Sequence, residues 1–307
     1  MRKGKTCLRQ LVTALCCAAL FPAALPGMVC RADEGGTYYT IEEHEQQPRT
    51  VLVESVSLDR KELNLMPGSS AVIKAAVSPD NAADKTVVFK SSNPKAATVS
   101  RSGTVKAVGR GTAVITASSA DGGASAQCSV RVLFTDVPIG ASYYKQIYWA
   151  DDRGILAGRA DGSYGSTATI TRGHVMVFLW RAAGRPKAAL RKQKYTDVPP
   201  TSGYFDAIQW AVENGIAAGK ADGSFGINLP ITRGAMMYFL WRYAGRPEPA
   251  GKKQVYTDVP VSNAYFKAVQ WSVEKKIAVG YSDGSFGIKR YSTRGHFAAY
   301  IYRMLAN

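Results

Sequence analysis

The chain has 307 residues, of which 46% are hydrophobic and 20% charged, and its formal net charge is +16. That length leaves room for two or three domains, and that apolar content excludes a chain too polar to fold. Four of the 5 cysteines, Cys7, Cys16, Cys17 and Cys30, lie near the start, so their removal would leave Cys128 alone and no internal disulfide.

That start reads as a secretory signal. Arg2, Lys3, Lys5 and Arg9 make a basic opening, and residues 11–25 form an apolar run too short to cross a bilayer comfortably. Cleavage is expected after Ala32, and no later segment is apolar enough to span a membrane. Residues 33–51 show little apolar periodicity and are expected to be a flexible linker.

From 52 to 133 apolar and polar residues alternate in short runs, separated by Pro-Gly, Pro-Asp, Ser-Gly and Asp-Gly-Gly. Turns about every ten residues between β-rich runs predict an all-β sandwich of about seven strands. Cys128 sits in the alternating run AQCSVRV and reads as a small buried hydrophobe. Leu63 and Leu65 precede Pro67-Gly68, and Ser91-Ser92-Asn93 is followed by Ala97-Thr98-Val99. Gly103-Thr104-Val105, Gly111 and Ile115-Thr116-Ala117 follow in order. In these pieces residues 52–133 resemble the bacterial immunoglobulin-like group 2 family.

Residues 134–307 then write one cassette three times at a spacing of 61, as 134–193, 194–254 and 255–307. Asp136, Asp197 and Asp258 stand in FTDVP, YTDVP and YTDVP, and Asp161, Asp222 and Asp283 head DGSYG, DGSFG and DGSFG. Units this small share a core by stacking, and any site one carries recurs, which favours multivalent binding over a single catalytic centre. Each unit reads as helix, loop, helix. Tyr143, Tyr144, Ile147 and Ala150 share one helical face, and Gly154 and Gly215 offer the left-handed stop. Lys276 takes that place in the third copy, so that helix must end otherwise or accept left-handed strain. Thr171, Thr232 and Thr293 are expected side-chain caps before VMVFLW, MMYFLW and FAAYIY, apolar runs expected to converge on one axis.

The F/Y-x-D-V opening, the W-A-V-x-x-G-I helix end, the D-G-S-F loop and the T-R helix start are similar to tandem S-layer homology motifs. The resemblance implies a multidomain fold: an immunoglobulin-like sandwich, then a mainly α, three-lobed pseudo-trimer with a central helix bundle and grooves between lobes. It implies non-covalent attachment to a secondary cell-wall polysaccharide, often pyruvylated, with the immunoglobulin-like domain as spacer or adhesive module of unknown protein partner. The expected location is the cell wall or S-layer of a Gram-positive-type bacterium, since export without disulfides suits that setting. Residues 134–307 hold 23 Lys/Arg and 12 Asp/Glu, a balance of 23 − 12 = +11 that favours polyanions. Export makes those wall polymers rather than nucleic acid, and no membrane partner is expected after signal cleavage.

Arg172, Arg233 and Arg294 each follow a capping Thr, at the positive end of a helix. A ligand carboxylate would relieve that conflict, taking a bidentate pair from the guanidinium and further bonds from free helix amides. The alternative is an internal salt bridge to an Asp of TDVP or DGS. Trp149, Trp210 and Trp271 could stack on a sugar or pack in the core, and Gly158, Gly219 and Gly280 could allow close ligand approach or serve as turns. The DGS loops lack the acidic ligands of a calcium site, so no metal and no cofactor is expected. The helix starts read Thr-Arg-Gly followed by His174, Ala235 or His296, without the acidic residue of a capping box. The N-terminal amides are therefore expected to be freer, with both histidines partly exposed and incidental, though able to add charge in mild acid. No residues are left for a catalytic domain, so the chain is expected not to be an enzyme. The alternative is a wall-polysaccharide-processing enzyme held at its substrate by the repeats.

Overall fold

A computed structural model of the chain describes residues 28–32, 39–43, 50–189 and 192–306. Most of the expected signal and much of the expected linker lie outside the described residues. Two short strands lie in these stretches: β1 (Met28–Ala32), at the end of the expected signal, and β2 (Tyr39–Glu43), which differs from the linker reading, pair antiparallel with Cys30 opposite Ile41. The strand-forming run YTIEE supplies the second of them.

The chain falls into two compact units. The smaller takes Met1–Ser57, Ala76–Val88 and Ser118–Ser125, and in it the Val53 amide donates to Asp121 at 3.2 Å. β3 (Ser55–Leu58) pairs with β6 (Ala75–Ser78). The larger takes Leu58–Ala75, Phe89–Ala117 and Ala126–Asn307.

The immunoglobulin-like region has further short strands. These are β4 (Glu62–Leu65), β5 (Ser70–Val72), β7 (Val87–Ser91), β8 (Ala97–Val99), β9 (Thr104–Ala107), β10 (Gly111–Ser119) and β11 (Ser125–Val132). They form a sheet in the order β4-β11-β10-β7 and another in the order β5-β9-β8. β4 and β11 run parallel with Leu63 opposite Val130, whereas β5 and β8 flank β9 antiparallel. With β3 and β6 that makes nine strands rather than seven, because the run AVIKAAVS breaks between Val72 and Ala75 and the run ATVSRSGTVKA breaks between Val99 and Thr104. Leu63, Leu65, Ile73, Val105, Ile115, Cys128 and Val130 form the core. Cys128 is fully buried, and burial pushes its thiol pKa up.

Six helices follow among the described residues: α1 (Tyr144–Asp152), α2 (Arg172–Ala182), α3 (Phe205–Glu213), α4 (Arg233–Tyr243), α5 (Phe266–Glu274) and α6 (Arg294–Leu305). Each copy contributes a lobe of two. Ile147 and Ala150 on α1 are buried as their spacing predicts, while Tyr143 caps the helix with a left-handed φ of 63°. Gly154 and Gly215 take φ 64° after α1 and α3, and Lys276 takes φ 55° after α5, accepting the strain. Val175, Met176 and Leu179 of α2, Met236, Met237 and Leu240 of α4, and Phe297, Ala298 and Ile301 of α6 are buried in one shared core. At its centre the backbone closes a triangle. The Ile170 amide donates to Ser292 O at 3.0 Å, Ser292 to Ile231 O at 2.9 Å and Ile231 to Ile170 O at 3.1 Å. Each lobe thus fills a hydrogen-bond vacancy in the next, which is why three copies complete what one could not.

Candidate functional site

Within each lobe, the TDVP aspartate pins the DGS loop. Asp136 accepts from the amides of Tyr164 (2.6 Å), Gly165 (2.8 Å) and Ser166 (3.0 Å). Asp197 does the same for Phe225, Gly226 and Ile227, and Asp258 for Phe286, Gly287 and Ile288. Burial pushes each carboxyl pKa up, but three amide donors more than offset it and leave a net lowering. Asp161, Asp222 and Asp283 each accept from the serine amide two residues on, a local turn. Among the described residues no three His, Cys, Asp or Glu side chains are placed to hold a metal.

The arginines bind the neighbouring lobe instead of an acid. Arg172 donates through Nε to Phe225 O (3.1 Å) and through Nη2 to Ala218 O (3.0 Å). Arg233 donates to Phe286 O (3.1 Å), to Val279 O (2.9 Å) and, through Nη1, to the Tyr300 hydroxyl (2.5 Å). Arg294 closes the ring onto the first lobe, reaching Tyr164 O at 2.8 Å and Ala157 O at 2.6 Å. The guanidiniums also lie over Phe225, Phe286 and Tyr164, at 4.8, 4.7 and 4.6 Å from the ring centroids. Neither a TDVP nor a DGS aspartate pairs with these arginines, so the internal salt bridge is replaced by carbonyls and aromatic faces. Burial lowers the pKa of Arg172 and Arg294, which stay charged.

The expected free helix amides are not free. Arg172 N and Gly173 N donate to Leu229 O and Ile227 O, and Arg233 N and Gly234 N to Arg290 O and Ile288 O. Arg294 N and Gly295 N donate to Ala168 O and Ser166 O. The third amide goes to the Thr cap, at 3.5, 3.4 and 3.1 Å for Thr171, Thr232 and Thr293. These amides are therefore already engaged within the protein.

The glycine after each arginine has a packing reason. A Cβ on Gly173, Gly234 or Gly295 would come within 3.1, 2.5 or 2.6 Å of the rings of Tyr204, Tyr265 or Tyr143, each from the next lobe. The histidines are half-buried rather than incidental. His174 Nε2 meets the Tyr204 hydroxyl at 3.2 Å and its Nδ1 meets Thr171 Oγ1 at 2.9 Å. His296 Nδ1 accepts from the Thr293 amide at 3.2 Å, taking the acidic residue's part in a capping box. Burial first, then Arg294, Arg159 and Arg181, hold the His174 pKa low, and burial does the same for His296 ahead of Arg233. Both therefore take up a proton less readily than a free imidazole.

Gly158, Gly219 and Gly280 are close-approach positions, but the approaching group belongs to the protein. A Cβ there would overlap the rings of Phe134, Tyr195 and Tyr256, the aromatics opening each TDVP motif. Trp210 and Trp271 are 7% and 4% exposed and belong to the core, so their stacking role on sugar is corrected to packing. Trp149 is half-buried, with Tyr302 edge-on at 5.2 Å and Arg153 over it at 4.4 Å.

One cleft opens beside these contacts. Its volume is about 580 Å³, and its lining includes Gly158, Arg159, His174, Phe178, Arg181, Tyr204 and Arg294. It draws on all three lobes and has no acidic lining residue. Arg294 is 6% exposed, and its Nη1 has no hydrogen-bond partner among the described residues. Arg159 and Arg181 went unremarked in the sequence, although Arg181 recurs as Arg242 and Arg303 on the same helical turn. Arg159 does not recur, since Lys220 and Tyr281 replace it, and repeat matching passes over it.

Comparison with known families matches residues 52–130 to the bacterial Ig-like domain (group 2). Residues 133–176, 194–237 and 255–298 match the S-layer homology domain. An endoglucanase of a Bacillus species is 28% identical over 168 residues, covering 53% of this chain and 17% of its own. Cell surface glycoprotein 1 of Acetivibrio thermocellus is 28% identical over 170 residues, or 50% of this chain and 7% of its own. A 3-O-alpha-D-galactosyl-alpha-L-arabinofuranosidase of Bifidobacterium longum is 45% identical over 84 residues, 27% of this chain and 7% of its own. The chain thus spans less than a fifth of the length of these relatives. Among solved structures, domains 1–6 of surface layer protein SbsC are 26% identical over 26% of this chain and 13% of that one, with a TM-score of 0.23. No helix among the described residues is long and apolar enough to cross a membrane. One bacterial Ig-like domain of group 2 followed by three S-layer homology domains, modules of spacer and anchoring type, makes this chain an S-layer-type cell-surface protein.

Proposed function

We propose that the three repeats hold the protein non-covalently to an anionic secondary cell-wall polysaccharide, with a carboxylate such as a pyruvate ketal received in the cleft at Arg294. The observation that carries this reading is the lining itself: Arg159, Arg181 and Arg294 converge there with no carboxylate among them. Three like charges around a half-buried imidazole are mutually unfavourable, and an incoming anion relieves all three. Phe178 and Tyr204 offer apolar faces to the C–H patches of a pyranose. In this reading Arg233 acts chiefly as a latch between lobes, and the Ig-like domain is a spacer or adhesive module. The setting is the wall of a Gram-positive-type bacterium.

Co-sedimentation with purified walls tests this. The protein should pellet with intact walls, and retention should vanish once the polysaccharide has been extracted. Retention by extracted walls would contradict the reading, and release of soluble sugar from the walls would favour a wall-polysaccharide-processing enzyme instead.

A further inference from the structure

The three arginine positions look equivalent in the sequence, but the side chains around them are not. Around Arg294, position 159 is Arg and position 178 is Phe, and both line the open cleft. One repeat on, around Arg172, the counterparts are Lys220 and Phe239, and Lys220 is paired with Asp222 at 2.5 Å. Around Arg233 the counterparts are Tyr281 and Tyr300. The Tyr300 hydroxyl takes Nη1 of Arg233 at 2.5 Å, and the Tyr281 ring centroid lies 5.0 Å from the same guanidinium. Arg290 lies 4.1 Å from that centroid too, so Tyr281 is held in place by two cations. All three nitrogens of Arg233 are thereby engaged, whereas Arg172 and Arg294 each keep Nη1 without a hydrogen-bond partner among the described residues.

We infer that Tyr281 and Tyr300 are a built-in plug, and that the protein takes at most two acidic sugar groups per chain instead of three. This rests on the anchoring reading above and deepens it. The Tyr300 hydroxyl accepts the donor that a ligand carboxylate would use, and the Tyr281 ring covers the guanidinium face. A neutral phenol therefore stands where the open cleft leaves room for an anion. Displacing it would leave a buried hydroxyl unpartnered, a penalty that the cleft at Arg294 does not impose.

Calorimetric titration of the full chain with a methyl hexoside bearing a 4,6-linked pyruvate ketal tests the inference by stoichiometry. The wild type should bind no more than two equivalents, and Tyr281→Arg with Tyr300→Phe should add one. Arginine is already accommodated at the equivalent place, over Gly165 in the first lobe as Tyr281 lies over Gly287 in the third. Three equivalents in the wild type overturn the plug, whether or not the variant folds. No gain in a variant that keeps the wild-type Tm also overturns it. Absence of binding by either protein sinks the anchoring reading itself, and the plug with it.

Discussion

Arg294 and Tyr164 stand 130 positions apart, yet the guanidinium Nε donates to the Tyr164 carbonyl at 2.8 Å and its carbon lies 4.6 Å from that ring's centroid. The last helix thereby closes onto the first lobe. Arg172 and Arg233 make the equivalent contacts forward, with Phe225 and Phe286. A cation at each helix start, unfavourable in isolation, is matched by carbonyl groups and ring faces of the adjoining lobe.

Arg294→Ala should lower stability by about 2–3 kcal/mol, because the buried Tyr164 carbonyl and the half-buried Ala157 carbonyl lose a charged donor. Arg294→Lys should recover less than half of that, since an ammonium cannot reproduce the forked geometry. Urea denaturation of the three proteins checks the order, and equal midpoints for Ala and Lys would contradict it.

Gly219→Ala places a methyl inside the Tyr195 ring and should cost about 1–3 kcal/mol through overpacking. If the glycine instead served ligand approach, stability would be untouched and wall retention alone would fall. Thermal unfolding beside a retention assay separates the two outcomes.

Lys276→Gly should raise stability by about 1 kcal/mol, because Lys276 holds a left-handed φ of 55° where Gly154 and Gly215 sit without strain. The greater freedom of glycine in the unfolded chain offsets part of the gain. A lower Tm would show that the lysine side chain makes a compensating contact.

The local parts of this fold were legible in the sequence. Thr171, Thr232 and Thr293 cap their helices as the Thr-Arg pattern implies, and the left-handed stop falls at Gly154, Gly215 and Lys276. What the sequence concealed lies between lobes. The Gly after each arginine reads as a loss of helix propensity until a tyrosine from the next lobe is seen against it. His296 replaces an acid in the cap because an imidazole nitrogen can also accept, a substitution that a search for Glu or Gln cannot find. Repeat matching weighs the three tryptophans alike, although Trp149 alone of them is half-buried.

Acid should loosen the DGS loops. The folded pKa of Asp136, Asp197 and Asp258 is lowered, so their contribution is present above the unfolded value of about 3.9 and is lost as pH falls through the lower folded value. Asp258→Asn should flatten that part of the stability–pH curve below about pH 4 while leaving the neutral-pH slope unchanged. Amide exchange of Phe286, Gly287 and Ile288 reports the same event, and unchanged protection in the variant would refute the role given to this carboxylate.

The most direct measurement compares wall retention of the wild type with that of Arg159→Ala/Arg181→Ala. Both side chains line the cleft, and neither makes the Arg294 contacts that close the ring. Apparent affinity for purified walls should fall at least about tenfold, equivalent to about 1.4 kcal/mol, with Tm unchanged. Undiminished retention by a variant of wild-type stability would contradict the claim that this cleft grips the wall polymer.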